Sequence, residues 1–135
     1  MSRMGPGSRD PDRITLLWRL GVAALVGVIV WASLTPHPLE NGLDHGDKLN
    51  HLFGYGSVMF WAAQLPAPRW RLAAGFVGLG ILMETLQALT GYRQADIYDA
   101  LANSAGVGVG WLLASALPNL RERLAARWAS RDSRL

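Results

Sequence analysis

Several polar and ionisable side chains of this sequence lie within long apolar stretches, where such residues are costly. An Asp, Arg or Lys at the centre of a membrane helix costs about 2.5–3.5 kcal/mol on insertion scales. The set contains two candidate catalytic residues, Glu84 and His51, and seven candidate ligand-binding residues: Asp47, Lys48, Gln87, Arg93, Asp96, Asp99 and Asn103. Polar residues in such surroundings are the first place to expect a functional site.

Two kinds of chemistry are open to this set. An imidazole exchanges protons near neutral pH, although a lone histidine on a helix is more often a hydrogen-bonded packing residue. The carboxyl group of Glu84 could act as a general acid. Lys48 and Arg93 could clamp a phosphate or a carboxylate. The set therefore indicates acid–base exchange or the binding of a polar ligand.

Neither a metal site nor a cofactor site is predicted. His51, Asp96 and Asp99 could hold a divalent ion, but no short motif such as H-E-x-x-H is present, and the chain has no cysteine. The glycines of Gly106-x-Gly108-x-Gly110 lack the spacing and the preceding strand of a dinucleotide fingerprint.

Four apolar segments, each long enough to cross a bilayer, would carry these side chains. About 20 apolar residues cross a hydrocarbon core of ~30 Å. The second segment is the weakest of the four, because polar residues interrupt it. The segments cover residues 14–34, 47–65, 72–90 and 96–117. The fold class predicted is all-α, an integral membrane four-helix bundle over residues 14–117. A signal peptide is the alternative for the first segment, but its apolar run exceeds the usual ~7–15 residues.

The two ends of the chain are polar. Residues 1–13 are rich in Gly and Pro and are predicted to form a disordered cytoplasmic tail. Residues 118–135 form a basic amphipathic tail, in which Leu120, Leu124 and Trp128 recur every four residues among arginines. That pattern predicts a helix lying in the headgroup region. A solvated, partly helical tail is the alternative.

The basic residues predict the orientation in the membrane. Four spans would place eleven of the thirteen Lys and Arg residues on one side, in the two ends and in the turn near residue 70. Only Lys48 and Arg93 would lie on the other side. Basic residues concentrate on the cytoplasmic side, so a multi-pass protein of the inner (plasma) membrane with both termini cytoplasmic is predicted. No aromatic–basic groove pattern indicates nucleic-acid binding.

Helical spacing and this topology together place the polar residues in one layer near the outer face. His51 lies in the first turns of the second span, Glu84 in the last turns of the third, and Asn103 in the first turns of the fourth. All three therefore lie near the outer side of the membrane. Residues three and four apart share one helix face. Gly106-x-x-x-Gly110 continues the polar stripe of the fourth span and would let a neighbouring backbone approach closely.

Two stretches of this layer resemble a known family. DKLNHLFGYGSVMF (residues 47–60) resembles the D-K-x-x-H-x-x-x-Y/F signature of VanZ-like membrane proteins. METLQALTGYRQADIYDALANSAGVGVG (residues 83–110) resembles their second signature, E-x-x-Q, then R-x-x-D, then D-x-x-x-N-x-x-G. The resemblance implies a small bacterial membrane protein of the cell envelope. The family takes its name from a protein associated with teicoplanin resistance, and the resemblance implies no particular biochemical activity.

Three functions remain open. The first is binding of a polar or lipid-linked ligand, such as an envelope precursor, at the outer leaflet. The second is a small membrane enzyme that uses Glu84 or His51 in acid–base chemistry. The third is a structural or accessory subunit, whose polar layer is a network that ties helices together; Glu84 could then pair with Arg93 or Lys48. The bilayer is the expected partner, and an oligomer is left open.

Overall fold

A computed structural model describes residues 10–37, 42–43 and 45–132 of the chain. In this part of the chain all regular structure is helical, with five helices: α1 (Asp10–Leu34), α2 (Gly46–Ala62), α3 (Arg69–Leu89), α4 (Ile97–Ala116) and α5 (Leu120–Asp132). The prediction of an all-α fold is confirmed. The predicted disorder of residues 1–9 lies outside the described residues, as do residues 133–135.

The helix ends follow local chemistry. Pro36 lies two residues beyond α1, and Pro66 and Pro68 lie between α2 and α3. Helices end near these residues because proline lacks an amide donor and clashes with the preceding turn. Asp96 caps α4: its side chain accepts a hydrogen bond from the backbone N–H of Tyr98 at 2.8 Å. Pro118 separates α4 from α5, as the sequence predicts.

The helix bounds differ from the predicted segments by three or more residues at three ends. α1 begins at Asp10, so residues 10–13 are helical where a disordered tail was predicted. α2 ends at Ala62 and not at residue 65, and α3 begins already at Arg69. The first and last turns of a helix do not have to be apolar, so hydropathy alone places helix ends only to within a few residues.

Two of the described helices are long and apolar enough to cross a membrane: α1 from Arg13 and α3. A third crossing is available if α4 and α5, which meet at a bend of 49°, form one span. α2 has 17 residues, about 25 Å at 1.5 Å per residue. The four-span bundle and the interfacial position of α5 therefore stay predictions.

α2 lies between α4 and α1 and packs most extensively against α4. Gly106 and Gly110 of α4 permit this contact, because a Cβ on Gly106 would overlap the carbonyl oxygen of Leu52, and one on Gly110 would overlap that of Gly56. The predicted close approach at Gly106-x-x-x-Gly110 is confirmed. The buried core beside it includes Tyr55, which lies on α2. This contact fixes the register of α2 and α4, on which most of the polar residues lie.

Candidate functional site

The structure brings all nine sequence-predicted residues into one continuous polar network. Its links run from α2 to α4, to the loop before α4, and to the ends of α1 and α3. Each residue of the network either contacts another of its residues or binds the same backbone carbonyl as another does. The network consists of Asp47, Lys48, His51, Glu84, Gln87, Arg93, Asp96, Asp99 and Asn103. We call this set the polar layer. Its members come together as helix-face spacing predicts.

Lys48 joins α2 to the start of α4. Its ammonium group lies 2.9 Å from Oδ2 of Asp96 and 3.2 Å from Oδ1 of Asp99. The Lys48 ammonium and the N–H of Tyr98 hold the pKa of the Asp96 carboxyl group below its ordinary value. Two of the three ammonium protons of Lys48 are thus committed to carboxylates. This leaves Lys48 less able to clamp an anion than the sequence suggests.

His51 is oriented by Asn103. Nδ1 of His51 donates a 2.9 Å hydrogen bond to Oδ1 of Asn103, which is almost fully buried. The other ring nitrogen, Nε2, faces Oδ2 of Asp99 at 3.7 Å and Oδ1 of Asp47 at 3.8 Å. The predicted proton carrier therefore has two carboxylates beside its open nitrogen.

Glu84 is buried at the end of α3. Its Oε2 accepts a hydrogen bond from the backbone N–H of Asp96 at 3.3 Å, whereas Oε1 has no hydrogen-bond partner among the described residues. Neither Arg93 nor Lys48 pairs with it, so those two pairings, expected of a structural network, are wrong. Their charged groups are engaged by Asp47, Asp96 and Asp99.

Gln87 and Arg93 bind the carboxyl end of α1. Nε2 of Gln87 donates to the carbonyl of Ser33 at 2.8 Å, and Nη1 of Arg93 donates to the same carbonyl at 3.1 Å and to that of Ala32 at 3.2 Å. The last carbonyls of a helix lack intrahelical donors and carry partial negative charge. Both side chains thus have a structural contact in addition to any role in binding.

Three participants escaped the sequence analysis. Ser33 contributes a backbone carbonyl, for which a sequence carries no signal. Tyr92 donates its hydroxyl to the carbonyl of Leu34 at 2.7 Å. Tyr55 is almost fully buried, and its hydroxyl has no hydrogen-bond partner in the described chain. Its position four residues after His51, in the quoted D-K-x-x-H-x-x-x-Y/F pattern, was the available signal.

A cavity of about 220 Å³ opens between α1 and α2 beside the polar layer. One part of its wall is polar and includes Asp47, His51 and Arg93. The other part is apolar and includes Val28 and Phe53. The remaining six residues of the polar layer do not line it. The cavity can take a ligand with a polar group and an apolar portion.

Three side chains of the polar layer, two of which line the cavity, have the composition of a cation site. One ligand atom from each of Asp47, His51 and Asp99 lies within 4.8 Å of the other two. The sequence analysis, which predicted no metal, considered Asp96 in place of Asp47. Asp96 instead caps α4 and binds Lys48. Asp47 takes the third position because it lies one helical turn before His51.

Comparison with known proteins gives one finding. The family model VanZ/LLP1 matches residues 16–118. This range contains α2, α3 and α4, most of α1, and every residue of the polar layer. No curated protein and no solved structure matches the chain significantly.

Proposed function

Because the chain belongs to the VanZ/LLP1 family, we propose that it is a membrane protein of the cell envelope that binds the headgroup of a lipid or a lipid-linked precursor at the outer leaflet. The cavity beside the polar layer is the observation that carries this proposal. It joins Asp47, His51 and Arg93 to an apolar wall containing Val28, Ile29 and Phe53. A lipid has the same division between a polar headgroup and an apolar chain.

The proposed orientation is four spans in the plasma membrane with both termini cytoplasmic. Eleven basic residues on one side against two on the other support it. α2 is short for a span, but it carries its charged residues in its first turn and packs against α1 and α4. In this orientation the cavity lies at the outer headgroup level, where a lipid reaches it sideways between α1 and α2.

The headgroup is proposed to carry an anionic group held by Arg93 beside carboxylates. Of the two cations in the polar layer, Arg93 lines the cavity and Lys48 does not. The guanidinium group has five donors, and Nη1 supplies the two contacts with α1. Hydroxyl or amine groups on the same headgroup would donate hydrogen bonds to the carboxylate of Asp47.

The experiment is a titration of the purified protein in detergent with short-chain anionic and zwitterionic lipids and with lipid-linked envelope precursors. Arg93→Ala should weaken binding of an anionic headgroup by at least about tenfold, which corresponds to 1.4 kcal/mol. Arg71→Ala, which removes an exposed arginine in the first turn of α3, is the control and should bind as the wild type does. Equal binding by wild type and Arg93→Ala, or no binding of any of these ligands, would contradict the proposal.

Acid–base catalysis is the second candidate. Oε1 of Glu84 and the hydroxyl of Tyr55 are buried without hydrogen-bond partners among the residues described. Buried polar atoms without partners are uncommon and often have a functional reason. Under this hypothesis a headgroup is not only bound but altered. Chromatography of the lipid after incubation with wild type and Glu84→Gln would separate turnover from binding.

A further inference from the structure

We propose that Asp47, His51 and Asp99 bind a divalent first-row transition metal ion at the mouth of the cavity between α1 and α2. The three side chains come from two helices and from positions up to 52 residues apart, so they do not form a short metal-binding motif such as H-E-x-x-H. Their ligand atoms lie within 4.8 Å of one another. The inference is independent of whether the protein binds a headgroup.

The orientation of His51 is the first argument. Its side chain is 10% exposed, and its Nδ1–H is held by Oδ1 of Asn103 at 2.9 Å. A hydrogen bond from one ring nitrogen to a fixed acceptor is the usual way in which a protein aims the other nitrogen at a metal. Nε2 has no hydrogen bond within the described chain and points at the two carboxylates.

The distances are the second argument. Nε2 lies 3.7 Å from Oδ2 of Asp99 and 3.8 Å from Oδ1 of Asp47. These separations are too long for hydrogen bonds. Two ligands at ~2.1 Å from one ion, at a tetrahedral angle, are about 3.4 Å apart. The two distances from Nε2 exceed this value by only a few tenths of an ångström, and the two carboxylate oxygens lie within 4.8 Å of each other.

The surroundings of the two carboxylates are the third argument. Lys48 holds Oδ1 of Asp99 at 3.2 Å, which leaves Oδ2 directed at His51. Asp47 is half-exposed, and Nη2 of Arg93 approaches its Oδ1 only to 4.0 Å. Acidic groups still outnumber basic ones in the polar layer, so a dication would be attracted.

The donor set indicates which ions fit. One imidazole and two carboxylates favour Zn²⁺ or a neighbouring transition metal, whereas Mg²⁺ and Ca²⁺ prefer all-oxygen sites. Three protein ligands leave at least one coordination position open. That position would face the cavity, since Asp47 and His51 both line it.

The test is titration of tag-free protein, purified in detergent and treated with a chelator, with Zn²⁺ in a calorimeter. The wild type should bind one ion per chain. Asp47→Asn should weaken binding by at least about tenfold, and His51→Gln should abolish it. Glu122→Gln is the control, because it removes an exposed carboxylate on α5 that lies outside the polar layer; its affinity should stay within about threefold of the wild type.

Co²⁺ supplies a second readout. Bound at this site, it should give visible absorption bands that are present in the wild type and Glu122→Gln and absent in His51→Gln. If His51→Gln does not fold, the binding measured for Asp47→Asn provides the test. This variant is expected to fold, because the side chain of Asp47 is half-exposed. Absence of saturable binding at one ion per chain, or equal losses in Asp47→Asn and Glu122→Gln, would overturn the proposal.

Discussion

Lys48 Nζ lies 2.9 Å from Oδ2 of Asp96 and links the first turn of α2 to the residue that caps α4. The same ammonium group reaches Oδ1 of Asp99 at 3.2 Å. α2 and α4 are thus joined twice, by this charged group near one end and by the contact at Gly106 and Gly110 further along. The polar layer lies where the charged link is, so its geometry depends on the packing beneath it.

The Asp96 carboxyl group makes the stability of the protein dependent on pH. Its pKa is lowered in the folded protein by Lys48 and by the N–H of Tyr98. The stabilisation is therefore complete above the ordinary Asp pKa of about 3.9 and is lost as the pH falls through the lower folded pKa. Asp96→Asn, which can still cap α4, should flatten the melting temperature between pH ~5 and ~2 relative to the wild type.

Thermal melts in an acid-stable detergent measure this dependence. Lys48→Met provides the control. In a protein that carries Lys48→Met, adding Asp96→Asn should change the melting temperature at acid pH less than it does in the wild type. The wild type and Asp96→Asn should diverge only on the acid side. Parallel curves for the two proteins down to pH ~2 would show that the pair does not contribute.

Gly106 tests the contact between α2 and α4. A Cβ there would overlap the carbonyl oxygen of Leu52 and would lie 3.0 Å from the backbone nitrogen of Gly56. Gly106→Ala must therefore separate two backbones, at a cost of about 1–3 kcal/mol. Gly108→Ala is the control, because a Cβ at Gly108 meets nothing within 4 Å. Its melting temperature should match or exceed that of the wild type, since Ala favours helix by up to about 1 kcal/mol.

Melting temperatures in one detergent measure both glycine variants. A clear fall for Gly106→Ala with none for Gly108→Ala is expected. Equal melting temperatures of the two variants would mean that the close approach of α2 and α4 does not limit stability.

The sequence was sufficient to predict which residues meet. A spacing of three and four on each segment places Glu84 and Gln87 on one face of α3, and Asp99 and Asn103 on one face of α4. Alternating directions of the segments then bring these faces to the same level. Both steps depend only on helix geometry, and the burial of all four residues agrees with them.

The individual partners could not be predicted in the same way. Glu84 was given Arg93 or Lys48 as alternatives, yet its oxygen binds a backbone N–H. Partner choice depends on side-chain reach and on small rotations of the helices, which periodicity does not encode. Arg93 binds carbonyls at the end of α1, and backbone groups leave no trace in a sequence. Asp96 was expected beside His51 and Asp99, yet the structure places Asp47 there.

Glu84 distinguishes a functional site from a structural network. Glu84→Gln keeps the size of the side chain and an oxygen for the N–H of Asp96. If the polar layer is a site, this variant should retain the wild-type melting temperature and lose ligand binding or activity. Glu84→Ala leaves that N–H without its acceptor, which should cost about 1–3 kcal/mol.

Asp99→Ala is the companion variant, measured in the same melts. It removes the buried partner of Lys48 and should also lower the melting temperature. Large and equal losses of stability in Glu84→Gln, Glu84→Ala and Asp99→Ala, with binding kept in the folded fraction, would favour the structural role.

The number of spans can be tested at two alanines, because the chain contains no cysteine. With four spans, Ala67→Cys between α2 and α3 should be protected from an impermeant maleimide in intact cells, and Ala95→Cys before α4 should react. If only α1 and α3 cross, as length and hydropathy alone allow, the two results exchange. Labelling after permeabilisation controls for access to each thiol.

Binding of a headgroup in the cavity between α1 and α2 is the central claim, and blocking that cavity tests it most directly. Gly54 lines the cavity, and a Cβ there meets only Cγ1 of Ile29 at 3.7 Å, an ordinary contact. Gly54→Leu should therefore fold and fill the cavity. Gly108→Leu adds the same side chain at an open position of α4.

The measurement is native mass spectrometry of the protein released from nanodiscs, with the fraction that retains lipid determined for each variant. The wild type and Gly108→Leu should retain the same lipid class, and Gly54→Leu should lose it by at least about tenfold. Equal retention by all three proteins would contradict binding in this cavity.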